Sequence, residues 1–295
     1  MRSALARAGR LLAEGAACLG SWRPRKRHRL AVLALFKNEA HALAEWVEHY
    51  AGEGATAIHL VNNNSDDDYR RVLDPHLRSG LVVLHDDSRL HAQRRIYNEQ
   101  LQRLRHQCDW LLVCDLDEFL YARGEHANTL AYLNSLPAWV SCVQVPWKMF
   151  GSAGHRLQPT SGLRLGFQQR ASADEPHPCM PGPGRIAAKL IGRASRIRSL
   201  DVHSCGLLWG RRILPDGSPA ARGSFQPISE ALLERSQLHL NHYAVQSEQI
   251  FRAIKMTRGD VNAAAYASVR DMDYFHRYDR NTIRDPELAR RCQPG

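Results

Sequence analysis

The chain has 295 residues, 44% of them apolar and 24% charged, enough apolar material for a sizeable core and far from the composition of a disordered protein. Its formal net charge is +10, but residues 1–29 hold Arg2, Arg7, Arg10, Arg23, Arg25, Lys26, Arg27 and Arg29 against Glu14 alone, so the remaining residues carry only +3. A nearly balanced body behind a basic arm, with no RNA- or DNA-binding motif, argues against a nucleic-acid partner, and seven scattered cysteines without a C-x-x-C pair argue against a zinc ribbon or a disulfide framework.

Residues 1–28 read as a solvated basic arm, or as a short amphipathic helix lying on an anionic membrane surface. The Ala- and Leu-rich stretch 4–20 is interrupted by Arg7, Arg10 and Glu14 and is too short to cross roughly 30 Å of hydrocarbon. The cysteine usage and the charge after Trp22 argue against export. The expected location is cytoplasmic, with a peripheral contact at the inner face of the membrane through the arm as the alternative.

From residue 29 a cadence begins. "RLAVLALF" (29–36) is an apolar run of strand length, and the polar turn "KNEA" leads into a helix that places Leu43, Trp46, Val47 and Tyr50 on one face. Strands follow at 57–61, 81–85 and 110–114, separated by helices near 66–77 and 91–106. Alternating strands and helices imply right-handed crossovers and a mainly parallel sheet flanked by helices, an α/β fold of Rossmann type. In such a sheet ligands bind at the carboxyl ends of the strands.

The second half is less regular. A strand is expected at 142–147, a glycine-bearing loop at 148–155 and a Pro- and Gly-rich loop at 173–184. Short strands are expected at 185–191, 201–205 and 237–243, and a helix over 247–259 stopped by Gly259. Residues 281–295 read as a loosely ordered tail. The expected organisation is one domain over 29–280, with a nucleotide-binding half (29–122) and an irregular α+β acceptor half (123–280).

"LLVCDLDEFL" (111–120) places Asp115, Asp117 and Glu118 within four positions at the carboxyl end of the fourth strand, on the rim where "FKNE" and "NNNSDDD" also emerge. Like charges this close need a cation, a shared proton or open water. An Asp-x-Asp on a turn offers hard oxygen donors to Mg²⁺ or Mn²⁺ and leaves coordination sites for phosphate. Taken alone, such a doublet is a common exposed turn.

The blocks "LALFKNEAHALAEWVEHYAGEGA", "HLVNNNSDD", "QRRIYNE", "DWLLVCDLDEFL", "KMFGSAGH" and "NHYAVQSEQIFRAIKMTRG" occur in an order that resembles glycosyltransferase family 2-like proteins related to family 92. The resemblance covers roughly residues 29–260. It implies a GT-A fold and sugar transfer from a UDP- or GDP-type nucleotide-sugar to a glycan or lipid-linked acceptor, in polysaccharide synthesis at the cell envelope.

By the same resemblance Asp115 and Asp117 hold a divalent cation, Mn²⁺ or Mg²⁺, and the donor diphosphate, with His242 completing the metal site; a merely hydrogen-bonded histidine is the competing view. Glu118 is read as orienting a neighbour or as a plain solvated or helix-starting residue, and Phe119 as core. Lys37, Asn38 and Glu39 on the first turn and Asn64, Ser65 and Asp66 on the second are candidates for base and ribose recognition, against ordinary helix capping, in which Asp67 shares. Gln93 is the donor-side candidate on its helix, Tyr97 a packing residue. Lys189 and Arg258 are candidates for the diphosphate. Gly151, His155 and His203 are candidates for the acceptor side.

An inverting reaction also needs a carboxylate base. Glu175 and Asp174 are the first choices, Asp201 the third. Two other readings compete. The apolar strand ending in Asp-x-Asp also resembles haloacid dehalogenase-type phosphatases, although three βα units precede it here and Phe119 stands where Thr or Val belongs. A non-catalytic scaffold that kept the fold is the second.

Overall fold

A computed structural model describes residues 28–178, 184–257 and 270–292. The first half alternates as expected: β1 (His28–Phe36), α1 (Ala40–Gly52), β2 (Ala57–Asn62), α2 (Tyr69–Arg78), β3 (Val82–Asp86), α3 (Gln93–Leu104) and β4 (Cys108–Val113). After the acidic turn come β5 (Glu118–Ala122), α4 (Thr129–Ser135), β6 (Val140–Met149), α5 (Gly162–Gly166), β7 (Gln169–Arg170), β8 (Arg185–Arg193), β9 (Ile197–Leu200), β10 (Cys205–Leu207), β11 (Arg211–Ile213) and β12 (Phe225–Pro227). The chain continues with α6 (Glu230–Arg235), β13 (Leu238–His242), α7 (Glu248–Ala253), α8 (Met272–Tyr278), β14 (Ile283–Arg284) and α9 (Glu287–Arg291).

The main sheet runs β3-β2-β1-β4-β8-β6-β13-β5, with β11 beside β6 and β12 beside β8. β3, β2, β1 and β4 are mutually parallel, β8 runs against β4 and β6, and β13 returns parallel to β6. The sheet is therefore mostly parallel within a mixed α/β class, as expected.

Period-two alternation explains why β1 is apolar throughout. Leu30, Val32, Ala34 and Phe36 pack with Leu43, Trp46, Val47 and Tyr50 of α1, while Ala31, Leu33 and Leu35 pack with Ile96, Tyr97, Leu101 and Leu104 of α3 on the other face.

Four expectations change. The strand expected at 201–205 is a turn there, with β9 ending before it and β10 starting at Cys205, because Leu200 pairs with Cys205 and the Asp201 amide donates to the Ser204 carbonyl at 2.8 Å, closing a hairpin between antiparallel strands. The helix expected over 247–259 stops at Ala253 and passes into a 3-10 turn at Lys255–Thr257; Gly259 lies outside the described residues. The strand expected at 142–147 extends to Met149, which moves Lys148 from a loop into the sheet. The tail expected after 280 is packed: β14 pairs with β7, and Leu288 and Ala289 of α9 are buried.

That last segment is held by charge. Lys148, buried on β6, lies 2.7 Å from Asp285 and 3.6 Å from Glu287, while Arg170 reaches Asp285 at 2.7 Å. Residues 29–280 thus form a body that 281–292 clasps.

Candidate active site

The acidic turn is clamped from below. The Trp46 indole N–H of α1 donates to the Asp115 and Glu118 carbonyls at 2.9 and 3.1 Å, and the Tyr50 hydroxyl donates to the Glu118 carbonyl at 3.1 Å. From the side, the Tyr243 amide donates to the Asp117 carbonyl at 2.8 Å, fixing the turn to the end of β13. With four carbonyl contacts made by buried groups, the turn has little freedom.

What lets three carboxylates stand together is two buried lysines. Lys189, wholly buried at the middle of β8, lies 2.7 Å from Asp115 Oδ2 and 3.4 Å from Glu118 Oε2. Lys255, buried on the 3-10 turn, donates to Asp117 Oδ2 and lies 3.7 Å from Glu39. His242 Nε2 approaches Asp117 Oδ1 at 3.6 Å.

Burial alone would raise the Asp115 carboxyl, but the Lys189 ammonium outweighs it and holds the group below its ordinary range. Burial likewise opposes ionisation of Asp117, and Lys255 with His242 pulls it well below. Glu118 differs: burial raises its pKa, and its Oε2 accepts the Asp115 amide at 2.8 Å. It is neither solvated nor at a helix start but the first residue of β5, holding the turn in shape.

Asp115 and Asp117 line a cleft of about 610 Å³ together with Lys37, Glu39, Asn63, His91, Gln93, Trp147, Met149, His177, Asp201, His203, His242, Lys255, Arg270, Tyr274 and Tyr278. The structure thus brings together Asp115, Asp117, His242, Lys37, Glu39, Gln93 and His203, with Lys189 directly beneath Asp115. Burial and the nearby Lys189 charge lower the His203 pKa to about 3, so its ring is neutral against Trp147. Gln93 donates to the Tyr97 hydroxyl at 3.0 Å, and Tyr97 is buried as expected. Arg258 lies outside the described residues.

Asn38, Asn64 and Asp66 work on the loops themselves. Asn38 and Asn64 adopt φ of 53° and 61°, a left-handed conformation asparagine tolerates. Asn38 accepts the Asp66 amide through Oδ1 and donates its own amide to Ser65 Oγ, both at 2.9 Å. Asn63 donates to the Asp87 and Arg89 carbonyls at 2.6 and 2.9 Å, and Asn64 to that of Ser88 at 3.1 Å. Asp67 Oδ2 accepts the Ala40 amide at 2.7 Å and so caps α1 from the neighbouring loop. Three loops are laced into one wall.

Asn38, Asn64 and Asp66 do not themselves line the cleft, and four further expected residues lie away from it. Asp174 accepts the Glu230 amide at 3.1 Å at the start of α6, and Glu175 faces Arg280 at 3.7 Å and accepts from Thr282 at 3.4 Å. They sit beyond Trp147 and His177 because the chain after β7 turns toward α6 and the C-terminal segment. A Cβ on Gly151 would come within 2.4 Å of Asn281 Oδ1, so that glycine admits the C-terminal segment rather than a sugar. His155 bonds the Gly166 carbonyl at 3.0 Å and packs against Phe167. Asp201, the third choice for the base, does line the cleft.

Sequence reasoning missed Lys255, Trp147 and His177. Lys255 stood in a recognised block, "RAIKMTRG", but nothing in a lone lysine signals that its ammonium will fold back across 138 residues onto Asp117.

The sequence model of glycosyltransferase family 92 matches residues 31–286. The chain belongs to glycosyltransferase family 92. Its sheet is the mostly parallel α/β arrangement, with the acidic turn at the end of β4. Family 92 proteins from Ricinus communis (27% identical over 177 residues, 57% of this chain and 31% of that protein), Oryza sativa subsp. japonica (27% over 172 residues, 58% and 29%) and Arabidopsis thaliana (23% over 237 residues, 77% and 37%) resemble it. The chain spans about a third of the length of these curated relatives. Among solved structures, S. aureus TarS 1–349 in complex with UDP aligns at TM-score 0.36 and 13% identity, covering 57% of this chain and 47% of that one. Glucosyl-3-phosphoglycerate synthase from Mycobacterium tuberculosis, in complex with Mn²⁺, UDP and glucosyl-3-phosphoglycerate, aligns at TM-score 0.30 and 13% identity, covering 58% of each.

Proposed function

We propose that this chain transfers a sugar from a nucleotide-diphosphate donor, of UDP or GDP type, to a glycan or lipid-linked acceptor. The observation that carries the reading is the pair Asp115 and Asp117 on the floor of a cleft of about 610 Å³, at the carboxyl rim of the parallel half. Lys37, Glu39 and Gln93 on one wall are the donor-side residues; His203 lies on the acceptor side.

The residues fit a divalent cation. Donor atoms of Asp117, Glu118 and His242 lie within 4.8 Å of one another, and His242 Nδ1 is buried without a hydrogen-bond partner. Glu118 Oε2 is engaged by the Asp115 amide and Lys189, but its buried Oε1 has no hydrogen-bond partner, so Asp117, Glu118 and His242 together make the ion's seat, with Asp115 beside it. A bound Mn²⁺ or Mg²⁺ would neutralise the diphosphate that departs as the anomeric bond breaks. Lys255 and Lys189 add positive charge to the same floor, and a buried floor makes each charge count for more than it would in water.

An inverting transfer needs a base for the acceptor hydroxyl. Asp201 takes that role here: it lines the cleft, accepts the Val202 amide at 2.8 Å and, among the described residues, has no lysine in an ion pair with it, whereas Glu39, Asp115 and Asp117 each face one. Family membership weighs against the phosphatase reading, and a scaffold would not need the acidic floor.

Calorimetry or thermal shift with UDP-, GDP- and dTDP-sugars, with and without Mn²⁺, tests the proposal. One nucleotide should stabilise the protein in a metal-dependent way, and Asp115→Asn or Asp117→Asn should remove that shift while leaving the fold intact. An undiminished shift in either variant would defeat it.

A further inference from the structure

The rim opposite the cleft carries exposed aromatic and basic side chains side by side. β6 and β11 run parallel, so the residues before them, Trp139 and Trp209, emerge at the same end of the sheet, the end where β4 begins. Gly210 makes this approach close: with φ of 87°, a Cβ there would lie 1.8 Å from Ser141 Oγ. Trp139 is 49% exposed, Leu208 53% and Trp209 57%, half of the six large apolar side chains exposed among the described residues. They are held in place. The Arg196 guanidinium stacks on Trp209 at 3.6 Å and donates to the Ala138 carbonyl at 2.6 Å, and Arg211 lies over Trp139 at 5.6 Å. Arg198 is exposed on the neighbouring strand β9.

Large apolar side chains are rarely left to water in a cluster unless something covers them. The charge says what. Arg196, Arg198 and Arg211 make no salt bridge with a described carboxylate, so a second copy docking through this face would set arginine against arginine. Tryptophan rings with arginines at their edges suit the headgroup layer of a bilayer, where the ring lies at the apolar boundary and the guanidinium meets phosphate.

We infer that this rim, centred on Trp139, Leu208 and Trp209 with Arg196, Arg198 and Arg211 around them, docks the protein onto an anionic phospholipid surface. The cleft, on the far rim, then opens toward the aqueous phase, which suits a glycan acceptor and not one anchored in the same bilayer.

Flotation of the full chain with phosphatidylcholine vesicles, with and without phosphatidylglycerol, tests this. Binding should require the anionic lipid. The double variant Leu208→Ser/Trp209→Ser should lower the bound fraction at least about fivefold, and Arg211→Glu should lower it too. Both should keep the wild-type thermal midpoint and nucleotide-sugar response, which separates a docking defect from a folding or active-site defect. The inference fails if wild type ignores anionic vesicles, if the double variant floats like wild type so that charge in residues 1–27 accounts for all binding, or if the double variant abolishes self-association instead.

Discussion

Asp117 is balanced by a lysine in one direction and a histidine in the other, and this double pairing shapes what substitution should do. Lys255→Met removes the ammonium but leaves a buried carboxylate beside Glu39, so the fold should lose about 3–5 kcal/mol in chemical denaturation. If Asp117 and His242 seat a cation, Mn²⁺ should restore more stability to this variant than it adds to wild type; an equal increment would show that lysine and ion do not share the carboxylate. At this scale the sequence was half legible. Asp115 and Asp117 announced themselves by crowding, and His242 by its block. Lys189 reads as a candidate for the diphosphate but not as the buried partner of Asp115, because spacing cannot tell that β8 inserts between β4 and β6 and buries it. Asp174 and Glu175 looked right only by order along the chain, and order does not fix on which side of Trp147 a loop turns.

The elements show how the site is kept in register. Glu39 precedes α1 without a side-chain cap, and Asp67 supplies the missing acceptor from the β2 loop. Asp67→Ala should therefore cost about 1 kcal/mol of stability and weaken nucleotide-sugar binding through the Lys37–Glu39 turn, measurable by paired denaturation and calorimetry. The C-terminal clasp makes a second prediction. Asp285→Ala leaves Lys148 buried with the neutral Tyr121 hydroxyl and His239 ring and, among the described carboxylates, Glu287 alone at 3.6 Å, a loss of about 3 kcal/mol; adding Lys148→Met should recover much of it, and a double variant as unstable as the single one would contradict the assignment. The parallel half was readable because continuous apolar runs and 3.6-residue periodicity are local signals. The packing of residues 281–292 was not, since a short charged segment looks like a tail until its acids meet a buried lysine far away in sequence.

For the whole molecule, pH dependence follows from histidines kept neutral by burial. His49 and His203 each have a pKa lowered to about 3, by burial first, and His49 also bonds the Leu120 carbonyl at 2.8 Å. Their folded values lie below the unfolded value near 6.5, so the unfolded chain binds the extra protons: the contribution is complete above about 6.5 and is lost as pH falls toward 3. At pH 5 each group should subtract about 2 kcal/mol relative to pH 7, and His49→Gln should flatten the slope of stability between these values. A slope unchanged in that variant would remove His49 from the account.

The asparagine lacing of the three loops has a different temperament from the floor it adjoins. Carboxamides neither titrate nor attract counterions, and their partners here are largely backbone groups. Concentrated salt, which screens attraction between an open cleft and a charged ligand, should leave the three laced loops holding the same contour, so under the proposed function added salt would weaken phosphate binding without reshaping this wall.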